Sequence, residues 1–396
     1  MPEFRPFPAL RYAPGIDLDQ VLAPPYDVLS AADVAALGSR DPRNIVHVDV
    51  PDGTAESYLE AAATLTGWVR SATLVNDPEP SFTIYRMSFV DSTGAPRQIN
   101  GVLGELEVVD YASGGVLPHE RITPKASTDR LDLTRATRAN LSPVWGLSLA
   151  PGLTQALAEP GELVGAISVD SVEHRTERVS DPGRVARIAA LVGSDDVLIA
   201  DGHHRYGVAR QFFVEEEAAG RGDGARHTLA LISELAPEQL SIDAIHRIYR
   251  GVTARRLGEL LSTHFDREPA PAPSPAVLAE MAASGRLVLL HPDGAAEWLI
   301  PRPGVFDDVR ALDGAWLEHA LADAPVQVAY QHGLEQVRLE LAAGHADAAV
   351  LIRPTSLAEI NRTAREGVLM PPKSTFFTPK PRTGFVIRPV DRPIAE

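Results

Sequence analysis

Cysteine is missing from all 396 residues, which removes disulfides, thiolate metal ligands and a cysteine nucleophile in one step. Lysine is almost missing: of 37 basic residues, only Lys125, Lys373 and Lys380 are lysines and the others are arginines. In so arginine-biased a chain, a retained lysine marks a position where a compact ammonium is wanted and a planar guanidinium will not serve. No apolar run approaches the roughly 20 residues of a membrane span, so no membrane partner is expected. Met1 to Pro6 lack the basic start and apolar core of a signal peptide, and a cytoplasmic location is expected. A net charge of −16 lacks the positive excess of an extended nucleic-acid surface, although a local basic pocket for a small anion remains open. There is no P-loop spacing, no dinucleotide glycine fingerprint, no His-Glu-x-x-His helix and no Gly-x-Ser-x-Gly elbow.

A hydrophobic share of 44% with 23% charged residues describes a folded chain, and its length exceeds one compact core. Periodicity predicts a helix from Thr54 to Arg70, one opening near Ser30, and a polar helix from about Ser127 to Asn140. Strands are predicted at Ile45–Val50, Phe82–Val90, Gly101–Val109, Val197–Ala200, Leu287–Leu290 and Ala348–Ile352. The prolines from Pro269 to Pro273 read as a connector or exposed loop, with helical segments through about residue 343. The expected units are 1–105, 106–250, 251–345 and 346–396, in a mixed α+β arrangement.

The strongest local signal is Val197-Leu198-Ile199-Ala200-Asp201-Gly202-His203-His204-Arg205-Tyr206, a strand, a glycine turn and a helix start. Gly202 lets backbone approach a ligand, and a helix N-terminus offers N–H groups and the positive end of a dipole to an anion. His203, His204 and Arg205 add donors there, where basic groups oppose the dipole unless an anion is bound. The plain alternative is that Asp201 caps the helix and the histidines lie on the surface. The segment from Met370 to Lys380 holds Lys373, Ser374, Thr375 and Lys380 among prolines, a composition suited to gripping phosphate oxygens or, more simply, a rigid connector. His119-Glu120 leads through Lys125 to Arg130, Arg135 and Arg138; Glu120 among these cations is a general-base candidate, against a surface ion-pair network as the bland reading. Tyr26 and Asp27 follow Pro24-Pro25, where a turn aspartate is the simpler account. Adjacent His203 and His204 point about 100° apart on a helix and make a poor pair of ligands for one zinc.

Taken together, Ala23-Pro24-Pro25-Tyr26-Asp27-Val28, Asp201-Gly202-His203-His204-Arg205-Tyr206 and Met370-Pro371-Pro372-Lys373-Ser374-Thr375 resemble the domain-of-unknown-function 1015 family along essentially the whole chain. The pairing of His119-Glu120 with Asp201 to Arg205 is similar to free serine kinases of the ParB/sulfiredoxin-like fold. The resemblance implies such a core with an added N-terminal α+β unit and a C-terminal elaboration. It implies Glu120 as base, with Asp201 and His203 catalytic. The expected donor ligands are His204, Arg205, Lys373, Ser374, Thr375, Lys380, Arg130 and Lys125. His119, Asp27, Tyr26 and Arg138 are expected around the acceptor, and Mg2+ at Asp201. The expected activity is phosphorylation of free L-serine from pyrophosphate, with ADP or ATP as alternative donors. A phosphoserine phosphatase and a non-enzymatic nucleotide-binding protein stand as the other classes. Small-molecule substrates, no nucleic acid and a homodimer complete the expectation.

Overall fold

The computed structural model describes residues 1–91, 94–119, 127–367, 369–371 and 373–391. The chain divides into two compact units, one of Met1–Leu240 with Pro379–Glu396 and one of Ser241–Thr378. The mixed α and β architecture expected from the sequence is present in both.

The first unit is built on one mixed sheet. Its strands run in the order Val116–Leu117, Val197–Asp201, Val144–Ser148, His227–Glu234, Pro96–Glu107, Phe82–Val90, Val172–Val179 and Glu162–Val169, with Phe4–Arg5 pairing Pro96–Glu107. Most neighbours are antiparallel, but Val116–Leu117 runs parallel to Val197–Asp201, and Val144–Ser148 runs parallel to His227–Glu234. The boundary expected between residues 105 and 106 therefore falls inside Pro96–Glu107, a strand paired along both edges. The apolar side chains of Phe82, Ile84, Val102, Val144, Val197, Ile199, Ala230 and Ile232 pack into a shared core with Ile188, Val192 and Tyr206 from the covering helices. The segment after Pro379 is bound into this unit by Arg388–Pro389, which pairs with Ala139–Asn140, and by the fully buried Arg388, whose Nε donates to Glu105 at 2.5 Å.

Most local expectations hold. Ser30 and Asp33 form a reciprocal capping box at the helix Ala31–Gly38, and Thr54 with Ser57 does the same for Ala55–Arg70, satisfying first-turn N–H groups. Ile45–Val50 is a correction: Val46–Asp49 is a single helical turn, with Asp49 N–H donating to Ile45 O at 2.8 Å and Asn44 Oδ1 accepting from Val46 N–H at 3.1 Å. Both Val46 and Val48 are buried in that turn, so a short run enclosed on more than one side imitates strand alternation.

In the second unit the sheet order is Phe265–Ala270, Ala296–Pro301, Leu287–Leu290, Ala348–Leu351, Ile245–Arg250 and Gln327–His332, all antiparallel. Leu287 and Leu289 enter one apolar cluster while Val288 and Leu290 enter another, so both faces are covered and the central strands read as continuous apolar runs. Pro269 lies in the edge strand Phe265–Ala270 rather than in a connector, where its lost N–H is tolerated. Ala296–Pro301 and Gln327–His332 are strands inside the stretch expected to be helical. No helix among the described residues is long and apolar enough to cross a membrane.

Candidate functional site

Two parallel strand ends assemble the site in the first unit. Leu117 pairs with Leu198, so the two strand ends lie side by side, with His119 just past one and Asp201 closing the other. Between Ile199 and Asp201 the pairing with Gly146 and Trp145 slips by one residue, a bulge of the kind that re-aims a side chain. Gly146 makes the close packing there possible, since a Cβ would lie 2.5 Å from Val197 Cγ1 and 2.7 Å from Ile232 Cδ1.

Gly202 turns the strand into the helix His203–Ala218 with φ at +87°, a conformation that glycine adopts at little cost. A Cβ at Gly202 would also come within 3.0 Å of the Arg205 guanidinium. Gly202 at the N-cap has no side chain to cap this helix, and among the described residues its first-turn N–H groups are available to an anion. Asp201 turns elsewhere: one carboxylate oxygen is held by Lys380 Nζ, and the other accepts from Arg205 Nη2 at 2.5 Å. Arg205 Nη1 also donates to Pro143 O, and Asp27 stands 3.8 Å from Nη2. Burial would raise the Asp201 carboxyl, but Lys380 and Arg205 outweigh it and hold it well below the usual carboxylate range.

His119 and His203 are packed together beside the helix start. His119 is fully buried, its Nδ1–H donates to Ile199 O, and its backbone N–H reaches His203 Nε2 at 3.4 Å. Their rings meet edge to face at 4.6 Å. Burial pulls His119 down to about 4, and burial together with His119 pulls His203 well below its ordinary value. This lowering favours the uncharged ring at the helix start, where a positive charge would oppose the dipole.

Beside this cluster lies a cavity of about 50 Å3 lined by Tyr26, Asp49, Arg130, Ser142 and Arg205, with Thr134 and Ala209. The Arg130 guanidinium stacks on Tyr26 at 4.2 Å and donates to the Asp49 carbonyl at 2.5 Å and to its carboxylate at 3.3 Å. Sequence reasoning reached Tyr26, Arg130 and Arg205 but missed Asp49; the available signal was a carboxylate closing the apolar run Ile45–Val48.

The remaining expected residues fall elsewhere. Glu120 and Lys125 lie outside the described residues. Arg138 is bound by Glu216 at 2.7 Å and by Asp391, while Arg135 pairs with Asp132 and Glu215. Glu216 sits about 16 Å along the helix from Arg205 at 1.5 Å per residue, so the structure does not bring Arg138 into the Asp201 cluster. Lys373, Ser374 and Thr375 belong to the second unit. There Ser374 Oγ donates to Pro371 O at 2.7 Å, and Lys373 has φ at +59°.

Lys380 and Arg205 each engage one oxygen of the Asp201 carboxylate. No group of three His, Asp or Glu among the described residues is arranged to hold a metal.

The fold and site define a mixed α/β protein with an anion-ready helix start beside a buried carboxylate and two cations. The chain belongs to the family described as Protein of unknown function (DUF1015), whose model matches residues 4–315. No curated protein matches it. Among solved structures it is similar to a free serine kinase in complex with AMP, with 14% identity, 71% of this chain and 88% of that one covered, and a TM-score of 0.39. It is similar to SbnI with C-terminal truncation from Staphylococcus aureus, with 13% identity, 74% and 90% covered, and a TM-score of 0.38. A conserved hypothetical protein from Pyrococcus furiosus is also similar, with 14% identity, 70% and 90% covered, and a TM-score of 0.37.

Proposed function

We propose that this protein is a phosphotransferase that moves a terminal phosphoryl group from a small donor, pyrophosphate first among them, to the hydroxyl of free L-serine. The observation that carries the reading is the uncapped start of the helix His203–Ala218, where Lys380 and Arg205 are both tied to the buried Asp201. Phosphoryl transfer asks a protein mainly for positioning and for neutralisation of charge on the transferred group. Backbone N–H groups at the helix start, the His204 side chain, and the Lys380 and Arg205 cations supply these. Asp201 holds the two cations in place, so they need no reorganisation when the donor arrives.

In this reading the serine oxygen forms a bond to the terminal phosphorus while the bridging P–O bond breaks, and its electron pair leaves with inorganic phosphate. The hydroxyl proton passes to Glu120, the residue after His119. His203, packed edge to face against His119 and lowered well below its ordinary value, gives a directed donor with little competing charge.

The test is an assay of the purified chain with L-serine and, separately, pyrophosphate, ADP and ATP, following O-phosphoserine by mass spectrometry. Product with pyrophosphate is expected, with loss of at least about a hundredfold in Glu120→Gln. Product with a nucleotide alone would keep the transfer and change the donor. Release of phosphate from phosphoserine, with no forward product, would replace the reading by a phosphatase.

A further inference from the structure

The cavity next to Asp201 has a charge pattern that the phosphate-site reading leaves unused. Arg130 and Asp49 are both at least nine-tenths buried, and their side chains line one wall of it together. Arg130 spends Nε on Asp129 and Nη1 on Asp49, and among the described residues Nη2 has no protein partner. Asp49 has one oxygen 3.3 Å from Arg130, while its other oxygen accepts, among the described residues, a 3.4 Å hydrogen bond from Ser142 Oγ. Both groups are thus paired loosely enough to accept a further ligand of opposite charge at each end. Arg205 joins this cavity to the Asp201 cluster; its side chain is 9% exposed, and its buried Nε has no hydrogen-bond partner.

An adjacent cation and anion in a low-dielectric wall match a zwitterion better than a simple anion. A lone phosphate here would face the Asp49 carboxylate, whereas an α-amino acid presents its own carboxylate to Arg130 and its own ammonium to Asp49. The size agrees: about 50 Å3 holds a few waters at roughly 10–15 Å3 for each, a volume suited to a short amino acid and not to a nucleoside.

We propose that this cavity is the acceptor pocket, taking the carboxylate of a small L-α-amino acid on Arg130 and its ammonium on Asp49, with the side-chain hydroxyl on the Arg205 side toward Asp201. The proposal rests on the serine phosphotransferase reading for its choice of amino acid, and it moves Arg130 from the donor phosphate to the acceptor carboxylate. Burial pushes the Asp49 carboxyl up against the pull of Arg130 and Arg205, and an incoming ammonium supplies the charge that would hold it ionised.

Calorimetric titration of the full chain with L-serine, in the absence of any donor, tests the pocket directly. L-serine is expected to bind, D-serine and inorganic phosphate at least tenfold more weakly. Arg130→Gln and Asp49→Asn should each weaken L-serine binding tenfold or more. Because these two side chains form a buried pair, Ala209→Leu, which fills the cavity from the helix wall, provides the check if they fail to fold: it should lose L-serine binding and keep the wild-type circular dichroism spectrum. Phosphate binding as tight as L-serine and weakened by the same substitutions would overturn the proposal. So would L-serine binding unchanged in the folded variants, or no binding to the wild-type chain. O-phosphoserine formed with an unchanged KM for serine in Arg130→Gln would sink the pocket and keep the kinase. Donor-free L-serine binding lost in Ala209→Leu, without product from any donor, would keep the pocket and sink the kinase.

Discussion

The helix His203–Ala218 carries an arginine–carboxylate cluster at each end, and the two are built on opposite terms. At its C-terminal half Arg135 meets Glu215 and Asp132, Arg138 meets Glu216 and Asp391, and Arg221 meets Glu216. Four carboxylates there face three cations, and most of the side chains reach solvent; Arg221 and Arg138 hold Glu216 well below its usual range. At the N-terminal end Asp201 contacts two cations, Lys380 and Arg205, with Asp27 further off, and all three contacting side chains are at least four-fifths buried. Largely exposed pairs tie a helix to its neighbours. Cations held in a largely buried cluster beside the helix start are less screened by water and act more strongly on a nearby anion.

Asp201→Asn breaks this contrast most sharply. Lys380 and Arg205 would then be left as two nearby cations without their shared counterion, and removing one partner of a buried pair costs about 3 kcal/mol or more. Phosphoryl transfer should fall by about 10^2- to 10^3-fold in whatever fraction stays folded, because both cations lose their placement. Chemical denaturation beside a single-turnover assay separates the two effects. A less stable variant with wild-type turnover would make the Asp201 cluster as structural as the Arg138 one.

The fully buried His119 gives the next effect. His119 has a folded-state value near 4 against an ordinary value near 6.5. Between those limits the unfolded chain binds the proton and the folded chain does not, so stability is full above about pH 6.5 and declines as pH falls toward 4. His119→Asn keeps an N–H for Ile199 O and removes the titration. The slope of unfolding free energy against pH in this window should be shallower in the variant by up to about 1.4 kcal/mol per pH unit. Equal slopes would show that His119 is charged in the folded protein and is not the neutral neighbour that His203 requires.

How far the sequence foretold these features depends on how local their causes are. The strand–glycine–helix at Asp201 was legible because buried apolar residues, a glycine and a helix start lie in one unbroken stretch. Lys380 is singled out by its rarity and Asp201 by its motif, but their pairing is not, because 179 residues separate them and no periodicity reports such a contact. Asp49 was hidden for a different reason: a one-turn helix enclosed by protein has the apolar spacing of a short strand. The assignment of Arg138 to a ligand failed because arginine type and helical spacing are the same for an anion site and for an ion-pair clasp. Only the carboxylates of Glu216 and Asp391, distant in sequence, decide between them. Strands at Ala296–Pro301 and Gln327–His332 were missed where short apolar runs lie among helix-forming alanines and leucines.

The smallest expected effect tests the other end of the comparison. Arg135 and Glu215 are 45% and 31% exposed, so water and salt screen their attraction, and ordering two long side chains offsets much of what remains. A double-mutant cycle through Arg135→Ala and Glu215→Ala should give a coupling of about 0.2–1 kcal/mol that shrinks as ionic strength rises, and transfer activity should stay within about twofold of wild type. Asp132 shares Arg135, so the cycle should be repeated with Asp132→Ala present, where Glu215 becomes the sole carboxylate partner and the coupling should grow. A large, salt-insensitive coupling, or a loss of activity to match Asp201→Asn, would mean that the two ends of the helix are not separate in function and that the polar helix Ser127–Thr137 contributes to the phosphate site after all.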